Sequence, residues 1–143
     1  MEVRTEFSDL IRAMARRDWG TIDRLLTEVE RSGWRGGSQV IAAAFAIAVN
    51  ERFAPAPFPT AVARFVAETQ AQFPAAQSLP RLEMEALVRA ALGEVDLIDR
   101  LSPETALQMQ IVLLGRLLQD SYRSEPELEA FVADVESTAA DYL

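Results

Sequence analysis

Val40-Ile41-Ala42-Ala43-Ala44-Phe45-Ala46-Ile47-Ala48-Val49 is the longest wholly apolar run in the chain. A membrane-spanning helix needs roughly 20 such residues, about twice this length. The run has no polar residue to turn toward water, so it reads as a buried core helix over residues 39–53, with Val40, Ile41, Phe45 and Val49 in the core. Alternation of Ala with Ile, Phe and Val suits close packing of other helices on several sides. The rest of the chain is read outward from this helix.

Toward the N-terminus, Phe7, Leu10, Ile11 and Met14 recur at i, i+3, i+4 and i+7, and Ile22, Leu25, Leu26 and Val29 repeat that spacing. Residues 5–31 therefore form a helical hairpin broken near Arg17-Asp18, with Asp18 as the N-cap of the second helix. The turn Arg17-Asp18-Trp19 resembles tetratricopeptide-type hairpins in general outline only. The repeat pattern of that family is absent, and the resemblance implies nothing further. Ser32-Gly33-Trp34-Arg35-Gly36-Gly37-Ser38 stops the second helix, with Gly33 suited to the left-handed residue that ends many helices.

Toward the C-terminus, Ala54-Pro55-Ala56-Pro57-Phe58-Pro59 predicts a stiff extended connector. Thr60 is then expected to cap a helix carrying Val62, Phe65, Val66, Thr69 and Phe73. A loop over 73–79 leads to a helix bearing Met84, Leu87, Val88, Ala91 and Leu92. After a turn over 93–101, Ser102-Pro103-Glu104 gives an N-cap followed by Pro at the first helical position, opening a helix to about Tyr122. Ser124-Glu125-Pro126-Glu127 has the capping-box pattern. The last helix carries Leu128, Phe131, Val132, Val135, Ala139 and Tyr142. No strand pattern or hairpin turn interrupts the series. The expected fold is all-α, one domain over 1–143 built as a bundle of six or seven helices.

Three short matches recur in order. Leu10-Ile-Arg-Ala13 resembles Leu87-Val-Arg-Ala90, Ile22-Asp-Arg-Leu25 equals Ile98-Asp-Arg-Leu101, and Phe65-Val-Ala-Glu68 resembles Phe131-Val-Ala-Asp134. They suggest two related helical halves, 5–73 and 79–142, in solenoid-like or pseudo-twofold arrangement.

Composition narrows function by what it lacks. The 143 residues include no Cys and no His, and all fourteen basic residues are Arg. Disulfides, thiolate zinc sites and thiol nucleophiles are excluded. So are the usual general base near neutral pH and the Schiff-base or P-loop lysine. Ser8 and Ser38 have no His or Lys to activate them. The acidic groups Glu83/Glu85, Asp96/Asp99 and Glu125/Glu127/Glu129 lack the Glu-x-x-His pattern of helical di-metal sites and the EF-hand spacing. They read as solvated faces and partners of helix dipoles. No catalytic residue, cofactor or metal is expected, and the chain is not expected to be an enzyme.

Net charge is −8, carried by residues 81–143, which hold five Arg and thirteen acids. That surface disfavours nucleic acid and anionic membranes. Arg12, Arg16, Arg17 and Arg24 are interleaved with Asp9, Asp18 and Asp23, so they read as ion-pair formers rather than a basic patch. The N-terminal residues carry mixed charge with no apolar run behind them, so no signal peptide is read and a cytoplasmic location is expected. What remains is a helical interaction or regulatory module whose partner is another protein, a second copy of the chain included. Trp34 and Arg35, hot-spot residue types in a glycine-rich loop, are its expected partner-binding residues. The alternatives are an acidic neutraliser of a basic partner, in the manner of immunity proteins or antitoxins, and a carrier of an apolar ligand between helices.

Overall fold

Helical spacing of the apolar residues translates directly into elements. A computed structural model describes residues 5–32, 37–53, 59–94, 102–121 and 124–141. These form seven α-helices: α1 Thr5–Arg16, α2 Trp19–Ser32, α3 Gly37–Phe53, α4 Pro59–Gln72, α5 Arg81–Ala91, α6 Pro103–Asp120 and α7 Glu125–Ala140. A 3-10 turn, Pro74–Ala76, lies between α4 and α5. No strand occurs among the described residues. The all-α reading is thus the observed fold, and no helix of the described residues is long and apolar enough to cross a membrane.

Local chemistry sets the helix ends. At the α1–α2 break, Asp18 accepts hydrogen bonds from the Thr21 backbone N–H (3.3 Å) and the Thr21 hydroxyl (2.7 Å), closing the first turn of α2 as an N-cap should. Ser102 Oγ accepts from the Thr105 N–H at 3.2 Å ahead of α6. The α7 capping box is complete: Ser124 Oγ accepts from the Glu127 N–H, and Glu127 Oε1 accepts from the Ser124 N–H at 3.1 Å. Two expectations shift. Thr60 does not cap α4, because the helix already includes Pro59, whose fixed φ suits a first turn. Of the loop expected over 32–38, Ser32 belongs to α2 and Gly37 and Ser38 to α3. Residues 33–36, with Trp34 and Arg35, lie outside the described residues, as do 54–58, 95–101 and Tyr142.

Contacts gather the chain into two units, Met1–Ala44 with Leu118–Leu143, and Phe45–Leu117. In the first, α1 packs against both α2 and α7. Phe7, Leu10, Ile11 and Met14 of α1 are buried together with Ile22, Leu25 and Val29 of α2 and Leu128, Phe131, Val132 and Val135 of α7. Polar rungs fix α1 and α7 antiparallel. Arg16 pairs with Glu125, Arg12 with Glu129, and the Ser8 hydroxyl donates to Glu136 Oε2 at 2.9 Å. Three rungs four residues apart on α1 meet partners that ascend along α7 as α1 descends.

In the second unit α4 packs against α5 and the 3-10 turn. Gln70 holds that turn, its Nε2 donating to Leu79 O at 2.8 Å. Asn50 Nδ2, near the end of α3, donates to Ala46 O (2.8 Å) and to Ala91 O (3.1 Å), so it also satisfies a carbonyl at the end of α5. A buried cation lies in this unit. Arg116 of α6 is only 5% exposed, and its Nη1 donates to Phe65 O at 3.0 Å and Thr69 Oγ1 at 3.1 Å. Its Nη2 donates to Glu68 Oε1 at 3.2 Å, and the guanidinium stacks 4.9 Å from the Phe65 ring centre. These partners supply what burial of a charge requires.

Val40, Ile41, Phe45 and Val49 are all buried, as the apolar run requires. Among the positions paired by the short sequence matches, Leu10 and Leu87 are both buried, as are Phe65 and Phe131. Ile22 is buried, and Ile98 lies outside the described residues.

Candidate functional site at the α1–α2 corner

The described surface displays one large aromatic. Trp19 is 53% exposed, whereas the described phenylalanines of the helices are buried. It is the first residue of α2, reached by a tight turn whose hydrogen bonds are specific. Arg17 N–H donates to Met14 O at 3.2 Å and Asp18 N–H donates to Ala13 O at 3.0 Å, the two bonds of a Schellman ending. That ending needs a left-handed residue, and the position is held by Arg17 at φ 57°. α5 ends on the same pair of bonds, Gly93 N–H to Ala90 O and Glu94 N–H to Arg89 O, but there the positive-φ residue is Gly93. Glycine adopts this conformation at little cost; arginine does not. A side chain is therefore kept at position 17 against local backbone preference, beside the exposed Trp19. Such outliers are frequent at functional sites.

The charges around the corner are fixed in place. Arg17 Nη2 donates to Gln119 O at 3.2 Å, and Arg16 grips Glu125 with two hydrogen bonds, at 3.1 and 2.6 Å. The two Thr21 hydrogen bonds hold the Asp18 carboxyl below its ordinary range. Gly20, next to the indole, meets no neighbouring atom where a Cβ would stand. The corner is thus an exposed indole on a rigid, hydrogen-bonded turn flanked by two arginines whose side chains already have partners. Trp and Arg dominate binding hot spots, and pre-organised side chains lose little entropy on association.

The residues singled out in the sequence divide as follows. Trp34 and Arg35 lie outside the described residues. Arg12 and Arg16 form ion pairs, in line with their reading as pair formers, whereas Arg17 donates to a backbone carbonyl. Of the acidic groups, Glu125 and Glu129 pair with Arg16 and Arg12, Glu127 caps α7, and Glu85 lies 3.7 Å from Arg81. No group of three or more metal-ligating side chains gathers among the described residues. Asp96 and Asp99 fall outside them. Trp19 stands three residues before Ile22, on the apolar stripe of α2, a spacing that predicts burial. Periodicity gives the face of a helix but not how far its covering neighbour reaches.

Two hollows lie among the described residues. A shallow depression of about 450 Å³ is lined by Ala46, Ile47, Asn50 and Glu51. A smaller one of about 280 Å³ lies between the end of α3 and the first half of α4, lined by Arg52, Phe53, Ala61, Arg64, Phe65 and Glu68. No protein-family model, curated protein or solved structure matches this chain.

Proposed function

We propose that the protein is a non-enzymatic interaction module that binds another protein through the α1–α2 corner, with Trp19 as the anchor. The observation that carries this reading is the half-exposed indole on a turn that retains Arg17 at positive φ. The lack of Cys, His and Lys supports it, since the chain has few groups with which to do covalent chemistry. Arg16 and Arg17 flank the anchor and could meet acidic or carbonyl groups of a partner at the rim of the contact. Trp34 and Arg35 remain proposed contributors, on the strength of their residue types and glycine-rich setting. The acidic-neutraliser alternative is weakened, because Glu125 and Glu129 already bind arginines of the chain itself.

Capture from a lysate of the native host tests the reading. Immobilised wild-type protein should retain a stoichiometric partner, a second copy of the chain included, and Trp19→Ala should release it while Leu82→Ala, at an exposed position of α5, should not. Equal retention by the Trp19 variant would remove the corner from consideration.

A further inference from the structure

Every seventh residue of a helix returns to nearly the same side, and the outward face of α2 is charged with that period. Ile22, Leu25 and Val29 turn inward and are buried. Gly20 and Thr27 lie along the middle of the opposite face, and both are exposed. The Thr27 hydroxyl donates back to Asp23 O at 2.8 Å, so it needs no outside partner. Asp23 and Glu30 form an acidic edge on one side of that middle line, and Arg24 and Arg31 form a basic edge on the other. All four are exposed, and among the described residues none of their side chains takes part in a hydrogen bond or ion pair. Arg24 acts on Asp18 through its charge alone, after the larger effect of the two Thr21 hydrogen bonds. Glu28, further round beyond the basic edge, already has an interaction of its own. The other arginines of this unit are used differently: Arg12 and Arg16 grip α7.

We infer that α2 pairs with α2 of a second copy of the chain, parallel and in register, about a twofold axis running along the two helices. Such an axis sets the acidic edge of each helix against the basic edge of the other. Asp23 then meets the partner's Arg24, Glu30 meets the partner's Arg31, and both pairs recur by symmetry. An antiparallel pair would set like edge against like, so the pattern selects the orientation as well as the occupant. Trp19 stands one turn before Asp23, on the acidic edge. There the partner's Arg24, leaning toward its own helix N-terminus, reaches the indole ring. This Trp19 contact rests on the corner reading and names its partner; the charge pairs do not depend on it. Net charge favours the same surface. The whole chain carries −8, whereas residues 1–35 hold seven Arg and seven acids, so two copies meet there with the least repulsion. α2 has 14 residues and is about 21 Å long, so the buried area is small and the dimer weak and reversible.

Sedimentation equilibrium of the full-length protein at about 10 to 500 μM tests the inference. A monomer–dimer equilibrium is expected, its dissociation constant rising about tenfold between roughly 0.05 and 0.5 M salt. Asp23→Arg with Glu30→Arg makes both edges basic, and Arg24→Glu with Arg31→Glu makes both acidic. Each double variant alone should be monomeric with the wild-type helical circular dichroism, and an equimolar mixture of the two should restore a one-to-one dimer. The chain has no cysteine, so Gly20→Cys introduces a single thiol that should oxidise to a cross-linked dimer only if the helices are parallel and in register. Double variants that dimerise like wild type, a mixture that stays monomeric, or a Gly20→Cys dimer that does not cross-link would each overturn the pairing. A monomeric wild type whose lysate capture still requires Trp19 would overturn the self-pairing and leave the corner reading standing. A dimer lost in the charge variants but unchanged in Trp19→Ala would support the pairing and remove Trp19 as the anchor.

Discussion

Arg12 of α1 holds Glu129 of α7 with two parallel hydrogen bonds, Nε to Oε2 at 2.8 Å and Nη2 to Oε1 at 2.9 Å. Its remaining Nη1 donates to Asp9 at 2.9 Å, so one guanidinium ties its own helix to a segment 117 residues away in sequence. Arg16 repeats the arrangement with Glu125. The acidic C-terminal helix is thus partly neutralised by the arginines of α1.

This pairing predicts how the fold responds to acid. The hydrogen bonds from Arg12 and Arg16 hold the carboxyls of Glu129 and Glu125 below the ordinary range. A carboxyl lowered in the folded state contributes stability that is present above its unfolded value, near 4.3 for Glu, and lost as pH falls through the lower folded value. The urea midpoint should therefore drop between about pH 5 and pH 3. An Arg12→Gln, Arg16→Gln double variant should show a shallower drop over that window. The pairs are solvent-exposed, so the difference should also shrink in high salt. Identical pH slopes for variant and wild type would contradict the pairing.

Arg116 should matter to stability more than Glu68 does. Arg116→Ala removes the buried guanidinium, its stem and three hydrogen bonds, and is expected to cost about 2–4 kcal/mol in urea unfolding. Glu68 is half exposed, so Glu68→Gln should cost under about 1 kcal/mol. Equal losses for the two variants would mean that the ion pair, and not the buried cation with its carbonyl and ring partners, holds this region.

Two substitutions at helix ends should have opposite signs. Arg17→Gly relieves a left-handed backbone and should raise stability by up to about 1 kcal/mol, less the loss of the exposed bond to Gln119 O. Gly93→Ala imposes a side chain at φ +120° and should lower it by about 1–3 kcal/mol. Thermal unfolding of both variants checks this, and a stabilised Gly93→Ala would show that α5 does not end as described.

Phe45 lies in the middle of the apolar run and is 2% exposed. Phe45→Ala should cost about 3–5 kcal/mol in chemical unfolding, the usual range for a large core truncation. A loss below about 1 kcal/mol would place α3 at an unburied surface.

Much of this fold is legible in the sequence because helices announce themselves through short-range chemistry. Asp18, Ser102 and Ser124 each precede a helix by their own capping ability, and the 3.6-residue spacing of Phe7, Leu10, Ile11 and Met14 marks a face without reference to the rest of the chain. What is not legible depends on residues distant in sequence. The acids of α7 read as solvated because nothing in their spacing tells that Arg12 and Arg16 stand opposite. Arg116 is buried through a carbonyl and a ring on α4, partners that its local spacing does not mark. Trp19 occupies a core spacing and is nonetheless exposed.

The most direct test of the central claim is a paired measurement on Trp19→Ala: the dissociation constant for the captured partner, and the free energy of unfolding. If Trp19 is an interaction anchor, unfolding should stay within about 1 kcal/mol of wild type while the dissociation constant rises about 30-fold, equivalent to roughly 2 kcal/mol. A stability loss above about 2 kcal/mol with the dissociation constant unchanged would make Trp19 a packing residue and contradict the account.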